Sequence, residues 1–201
     1  MSALILASTS PYRRELLERL RLPFEVVAPQ VDETPIEGES PAAAASRLAR
    51  AKAEAVARAL PAGRSHALVV GSDQTATLDG RQIIGKPGDH ARARSQLRAA
   101  SGREMVFHTA LALVRRADGF ADEQTVQTRV RFRELSDAAI DAYLLAERPY
   151  DCAGSAKAEG LGIALLASLE GRDPTALIGL PLIALTSALC RAGLPPIGGL
   201  R

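Results

Sequence analysis

The stretch LILASTSPYRRELLERL, residues 4–20, decides how the chain reads. Leu4, Ile5 and Leu6 make a short apolar strand, Ala7, Ser8 and Thr9 a small-residue turn, and a helix follows. Ser10 is a good N-cap, and Pro11 takes the first helical position, where a missing N–H costs nothing. Arg13 and Arg14 then lie in the first turn, where the positive end of the backbone dipole disfavours each cation by roughly 0.3–1 kcal/mol. At about 100° per residue Arg13 shares the inward stripe of Leu16, Leu17 and Leu20, whereas Arg14 points toward Glu18. Free N–H groups and an inward guanidinium suit a phosphate. Two solvated arginines on an ordinary amphipathic helix are the plainer alternative.

The 201 residues are enough for a real core, and 47% apolar with 24% charged residues is the ordinary globular mixture. A net charge of +2 implies neither a nucleic-acid nor a membrane surface. The opening MSALILAST lacks the basic region of a signal peptide, and no apolar run approaches a membrane span, so a cytoplasmic protein is expected. Cys152 and Cys190 lack metal spacing and read as reduced thiols; His66, His90 and His108 are scattered and receive no role. No repeat or linker divides the chain, so one domain over residues 1–201 is expected, with a frayed tail at 195–201.

Residues 24–27 read as a second strand, and Val31-Asp32-Glu33-Thr34-Pro35 as a loop with adjacent carboxylates, either solvated or converging with another acid on a metal. An alanine-rich helix over residues 40–60 carries Arg47, Arg50, Glu54 and Arg58 on its polar face. Lys52 falls between Leu48 and Val56 on the apolar side, so it either meets an anion or snorkels out. A buried strand over residues 66–70 ends in Gly71-Ser72-Asp73-Gln74, which puts Asp73 past a strand's carboxyl end, where α/β folds place chemistry. The alternative is a turn aspartate bonding its own backbone.

Asp79-Gly80 predicts a two-residue hairpin between residues 75–78 and 81–84. The sequence GRQIIGKP imitates a phosphate loop but has Pro87 where Ser or Thr is needed, leaving Lys86 as a possible point contact to phosphate. A helix over 88–100, strands over 104–115 and 124–133, and a helix over 136–147 follow. Cys152-Ala-Gly-Ser-Ala-Lys-Ala-Glu-Gly160 is either a loop closing on a ligand or a plain surface loop. Asp173-Pro174 caps a short helix, and Pro181 starts the last one.

Together LASTSPYRRELL (6–17), VDETP (31–35), Lys52, GSDQ (71–74), GKP (85–87), CAGSAKAEG (152–160) and EGRDPTALIGLP (170–181) closely resemble the Maf-like nucleoside triphosphate pyrophosphatases. The resemblance covers nearly the whole chain and is nearest to the branch that hydrolyses 7-methyl-GTP. It implies an α/β fold related to the inosine triphosphate pyrophosphatases, a mixed twisted β-sheet flanked by helices around a central nucleotide cleft. It also implies a nucleoside triphosphate substrate cleaved to monophosphate and pyrophosphate with a divalent cation, Mg²⁺ or Mn²⁺.

Position by position, the resemblance makes Asp73 the catalytic carboxylate and Tyr12, Gln74 and Glu159 the residues that set base preference. Ser8, Arg13, Lys52 and Lys86 match positions lining the phosphates, with Arg14 beside them, and Glu33 joins Asp73 at the metal. Tyr12 stands where this branch often has tryptophan. A dTTP/UTP pyrophosphatase of the sister branch, a nucleotide-sensing cell-division regulator and an ordinary phosphatase are the rival functions. No nucleic-acid polymer or membrane is expected as partner, and a homodimer is left open.

Overall fold

In the computed structural model, which describes residues 3–200, one six-stranded mixed sheet carries the helices. Its strands are β1 (Leu4–Ala7), β2 (Phe24–Val27), β3 (Leu68–Thr77), β4 (Glu104–Arg115), β5 (Phe120–Phe132) and β6 (Leu166–Gly171). The spatial order is β2-β1-β3-β4-β5-β6, parallel from β2 to β3 and antiparallel from β3 to β6. The helices are α1 (Pro11–Glu18), α2 (Pro41–Ala59), α3 (His90–Ala100), α4 (Asp137–Glu147) and α5 (Leu182–Arg191). No helix among the described residues is long and apolar enough to cross a membrane.

Strand periodicity sorts the core. Leu4 and Leu6, Leu68 and Val70, and Leu111 and Leu113 face one side and pack with Leu16 and Leu17 of α1 and Leu185 and Leu189 of α5. The alternate residues Ile5, Ala7, Val69, Ala110 and Ala112 face the other side, against Ala45, Ala49 and Ala53 of α2. Burial on both faces explains why β1 reads as a continuous apolar run rather than an alternation. Farther along β4 and β5, Met105, Phe107, Val130 and Phe132 join a separate cluster with Leu97 of α3 and Ile140 and Leu144 of α4.

Three polar side chains of β3 and β4 interrupt this apolar packing. Ser72, Gln74 and Thr109 bond the backbone carbonyls of a short 3₁₀ turn, Ala176–Ile178, and of Gly179 after it. Asp173 anchors the same segment, its Oδ1 accepting from Thr175 N at 3.0 Å and its Oδ2 from Ile183 N at 2.7 Å. That second bond caps α5 from a distance, so Pro181, the residue just before the helix, needs no capping side chain.

Two expectations need correction. The strand expected to stop at Val70 continues to Thr77, so Asp73 sits inside β3. Gly71 is a packing residue rather than a terminator: a Cβ there would lie 2.1 Å from the Ala49 carbonyl oxygen and 2.7 Å from Ala53 N. The strand-end reading holds in one respect, because β1 pairs with β3 only as far as Ala7↔Gly71. Beyond that point Asp73 has β4 on one side and an open edge on the other. The Asp79-Gly80 hairpin shrinks to a single bridge, Ala76↔Ile84, because Asp79 Oδ1 instead accepts from Arg81 N and Gln82 N, each at 2.8 Å.

Gly71→Ala is expected to lose about 3 kcal/mol of stability, since both clashing atoms are backbone and cannot swing aside. Urea unfolding of the variant against wild type measures this.

Candidate active site

Where β1 leaves the sheet, a cleft of about 510 Å³ opens between α1, α2, the loop after β2, β3, the 85–87 loop, the 151–159 loop and the turn at 177–179. It brings together Ser8, Tyr12, Arg13, Glu33, Lys52, Asp73, Gln74, Lys86 and Glu159. Arg14 is the exception. Its Nε bonds Glu18 Oε1 at 3.0 Å on the open surface, the two side chains 64% and 53% exposed. One residue of helical rotation turns it away from the cleft, whose lining does not include it.

The Ser10 cap forms as expected, its Oγ accepting from Arg13 N, while Ser8 Oγ accepts from Ser10 N at 3.1 Å. Arg13 Nε donates to the Gly179 carbonyl at 2.9 Å, which fixes the guanidinium plane. Among the described residues its two terminal nitrogens have no bond, and Arg13 lines the cleft. Loss of surrounding water lowers the Arg13 pKa, and the charges of Asp73 and Glu33 oppose that shift.

Lys52 neither snorkels nor stands alone. It is 5% exposed, and its Nζ lies 2.6 Å from Asp73 Oδ1 and 2.8 Å from Glu33 Oε1. The ammonium therefore draws the loop carboxylate and the strand carboxylate to one point, leaving one of its three donors unused. Arg47 steadies that loop, holding Glu39 at 2.8 and 2.7 Å through Nε and Nη2. Ala44, Arg47, Leu48 and Lys52 all line the cleft. Their spacing on α2 is one helical stripe, a signal that would have placed Arg47 there from sequence.

The far end of the cleft is aromatic and acidic. The Tyr12 hydroxyl donates to Asp151 Oδ2 at 3.1 Å, and Lys157 Nζ lies 5.4 Å from the Tyr12 ring centroid. Burial, then the Cys152 and Asp151 charges, push the Tyr12 hydroxyl well above the ordinary range, so it stays protonated. Burial likewise pushes the Cys152 thiol up to about 12, which makes it a poor nucleophile at neutral pH. Glu159 is raised, first by desolvation. Gln74 Nε2 donates to Thr109 Oγ1 and to the Ala176 and Leu177 carbonyls, leaving Oε1 as its remaining hydrogen-bonding atom.

The loop bearing Glu159 is fastened beneath. Lys157 N donates to the Tyr143 hydroxyl at 3.0 Å, and Glu147 accepts from Leu161 N at 2.8 Å while pairing with Lys157 at 3.2 Å. Gly154 takes a φ of 73° against the Met105 sulfur, where a Cβ would come within 2.7 Å.

Residues 3–192 match the family model described as "Maf-like protein". The chain belongs to the Maf-like family. It is 62% identical over 195 residues to a protein of Paraburkholderia xenovorans named 7-methyl-GTP pyrophosphatase, covering 97% of this chain and 94% of that one. Proteins with the same name from Cupriavidus metallidurans and Ralstonia nicotianae are 62% and 63% identical. Those two alignments cover 98% and 92% of this chain and 96% and 93% of the relatives.

For a Maf-like cleft the donor set matters. Among the described residues no three His, Cys, Asp or Glu side chains converge to cage a metal. Asp73 and Glu33 nevertheless place two hard oxygen donors on one ammonium nitrogen, beside cations suited to phosphate. That pair would fit a divalent cation such as Mg²⁺, which prefers oxygen ligands and needs few of them from the protein.

Asp151, Arg47 and the carbonyls of Ala176, Leu177 and Gly179 are the parts of the site that the sequence motifs did not single out. Lys52→Met should destabilise by about 3 kcal/mol, because it strands the buried Asp73 carboxylate. Asp73→Asn, which leaves Lys52 bonded to Glu33, should cost clearly less; thermal and urea unfolding of the two variants makes the comparison.

Proposed function

We propose that the chain is a pyrophosphatase that hydrolyses the α–β phosphoanhydride of 7-methyl-GTP to 7-methyl-GMP and pyrophosphate, clearing a modified nucleotide. The observation that carries this is the polarity of a single cleft: Arg13 and Lys52 lie beside Asp73, Tyr12 and Glu159 lie beside Asp151, and Lys86 lines the same space. A triphosphate ester of a cationic base has the complementary polarity. The names carried by the close relatives support the same substrate.

At the base end, methylation at N7 makes the guanine ring a flat cation, attracted to an aromatic face by roughly 0.5–2 kcal/mol. The Glu159 carboxylate and Gln74 Oε1 are both acceptor groups, the Gln74 Nε2 being engaged as donor to the Ala176 and Leu177 carbonyls. They suit the adjacent N1–H and N2–H donors of guanine better than a uracil or thymine edge, whose one N–H is flanked by two carbonyls. At the phosphate end, Arg13 offers a fixed fork and Lys86 a point charge.

Asp73 Oδ1 is held by Lys52, which leaves Oδ2 to accept a proton from water. The water oxygen attacks the α-phosphorus in line, the bond to the bridging oxygen breaks, and that oxygen leaves with pyrophosphate. Arg13, Lys86 and the remaining Lys52 donor stabilise the charge that gathers on the leaving group. Glu33 and Asp73 would hold Mg²⁺ or Mn²⁺, which supplies charge neutralisation on the phosphate oxygens when bound.

Chromatography of products from a nucleotide panel with Mg²⁺ or Mn²⁺ should give 7-methyl-GMP and pyrophosphate. Release of orthophosphate, or nucleotide binding without turnover, defeats the reading. Asp73→Asn should lower kcat at least about 100-fold while 7-methyl-GTP still binds in calorimetry. Because desolvation raises the Glu159 pKa, its carboxylate is lost on acidification sooner than an ordinary glutamate's. The KM for 7-methyl-GTP should therefore rise on acidification, beginning at a higher pH than an ordinary glutamate would give, with Glu159→Gln removing that part of the pH profile.

A further inference from the structure

We propose that Asp151 is a specificity-determining residue: its carboxylate holds the Tyr12 ring in place and supplies negative charge that favours a cationic base over a neutral one. This rests on the nucleotide reading of the cleft given above. The hydrogen bond from the Tyr12 hydroxyl to Asp151 Oδ2 ties α1 to the loop after α4, on the opposite wall. The ring is thereby held from both ends, by the helix backbone and by its hydroxyl. A stacking platform that is already ordered loses less entropy when a base settles on it.

The charges around that ring do not balance. Lys157 is the one cation placed over Tyr12 among the described residues, and its ammonium is already paired with Glu147 at 3.2 Å. Asp151 and Glu159 line the same cleft, and neither forms an ion pair among the described residues, although the Lys157 charge acts on Glu159. Near the ring the carboxylates of Glu147, Asp151 and Glu159 thus outnumber the Lys157 ammonium, with Lys86 the other lysine lining that side of the cleft. The field reaches its neighbours, since the Asp151 charge raises both the Tyr12 hydroxyl and the Glu159 carboxyl further, after burial.

Neutral guanine gains little from such a field, whereas a ring bearing a full positive charge is attracted by it. Glu147 has a complementary part, because an unpaired Lys157 would repel the cationic base from the ring face. Discrimination between 7-methyl-GTP and GTP then depends on net charge as well as on ring shape. Asp151 supplies that charge within bonding distance of the platform.

The test measures kcat and KM for 7-methyl-GTP and GTP in wild type, Asp151→Asn, Asp151→Glu and Asp151→Ala. Asparagine can still accept from the Tyr12 hydroxyl but carries no charge. The kcat/KM preference for 7-methyl-GTP should fall about three- to tenfold in Asp151→Asn, carried by KM, and persist in Asp151→Glu. Asp151→Ala should raise KM for both nucleotides, because the ring also loses its anchor. Added salt should shrink the wild-type preference more than that of Asp151→Asn, which keeps only the charges of Glu159 and Glu147 near the base. An unaltered preference in Asp151→Asn overturns the proposal. A wild type that releases no pyrophosphate from 7-methyl-GTP defeats the underlying reading instead. Calorimetry of 7-methyl-GMP against GMP then carries the test, and an affinity ratio that Asp151→Asn does not change overturns the inference by itself.

Discussion

The close approach of α2 to β3 at Gly71 is the constraint on which the site depends. Helix backbone occupies the space a side chain would need there, and small residues, Ala45, Ala49 and Ala53, line the helix face that meets the sheet. Two residues beyond Gly71 the same strand face presents Asp73, and the same helix carries Lys52, so the two meet at 2.6 Å with little solvent between them. A wider spacing would put a water layer between ammonium and carboxylate. The chemistry of the cleft is set by how few atoms separate a helix from a strand.

Burying that pair is not a cheap way to gain stability. Desolvating two charges costs several kcal/mol each, and their attraction offsets this only when geometry and further hydrogen bonds are good. Apolar residues of similar volume at both positions would serve the fold as well or better. The arrangement is better understood as preorganisation, because Lys52 fixes one oxygen of Asp73, draws in Glu33 and keeps both carboxylates aimed at the cleft. The polar seam of Ser72, Gln74 and Thr109 does the corresponding job on the other face of β3, fixing the turn whose Gly179 carbonyl orients Arg13.

Much of this was legible in the sequence where one element decided the matter. Helical phase separated Arg13 from Arg14, because both lie in a single turn of α1 and the stripe of Leu16 and Leu17 sets inside and outside. The same argument put Lys52 on the buried face of α2. Its partners were not legible, since an ammonium on an apolar stripe says that an anion is near but not whether protein or ligand provides it. Gly71 misled because glycine weakens a strand in isolation, while here the missing side chain admits a helix. Asp79-Gly80 misled because a turn signal says nothing of whether the flanking segments have a ladder to join; Asp79 satisfies its own turn instead. Asp151 escaped notice since its value lies in a contact to Tyr12 at the other end of the chain.

The division of the cleft also separates two kinds of binding energy. Contacts to the base are made equally in the ground state and the transition state, so they set which nucleotide enters and how tightly it is held. Charge that builds on a departing pyrophosphate exists only as the bond breaks, so groups that meet it, the role proposed for the cations near Asp73, act on the rate itself. A net charge of only +2 spread over the whole chain would not attract a polyanion from far away. Local arrangement has to do it, and the low-dielectric floor made by α2 and β3 strengthens each of those few charges inside the cleft.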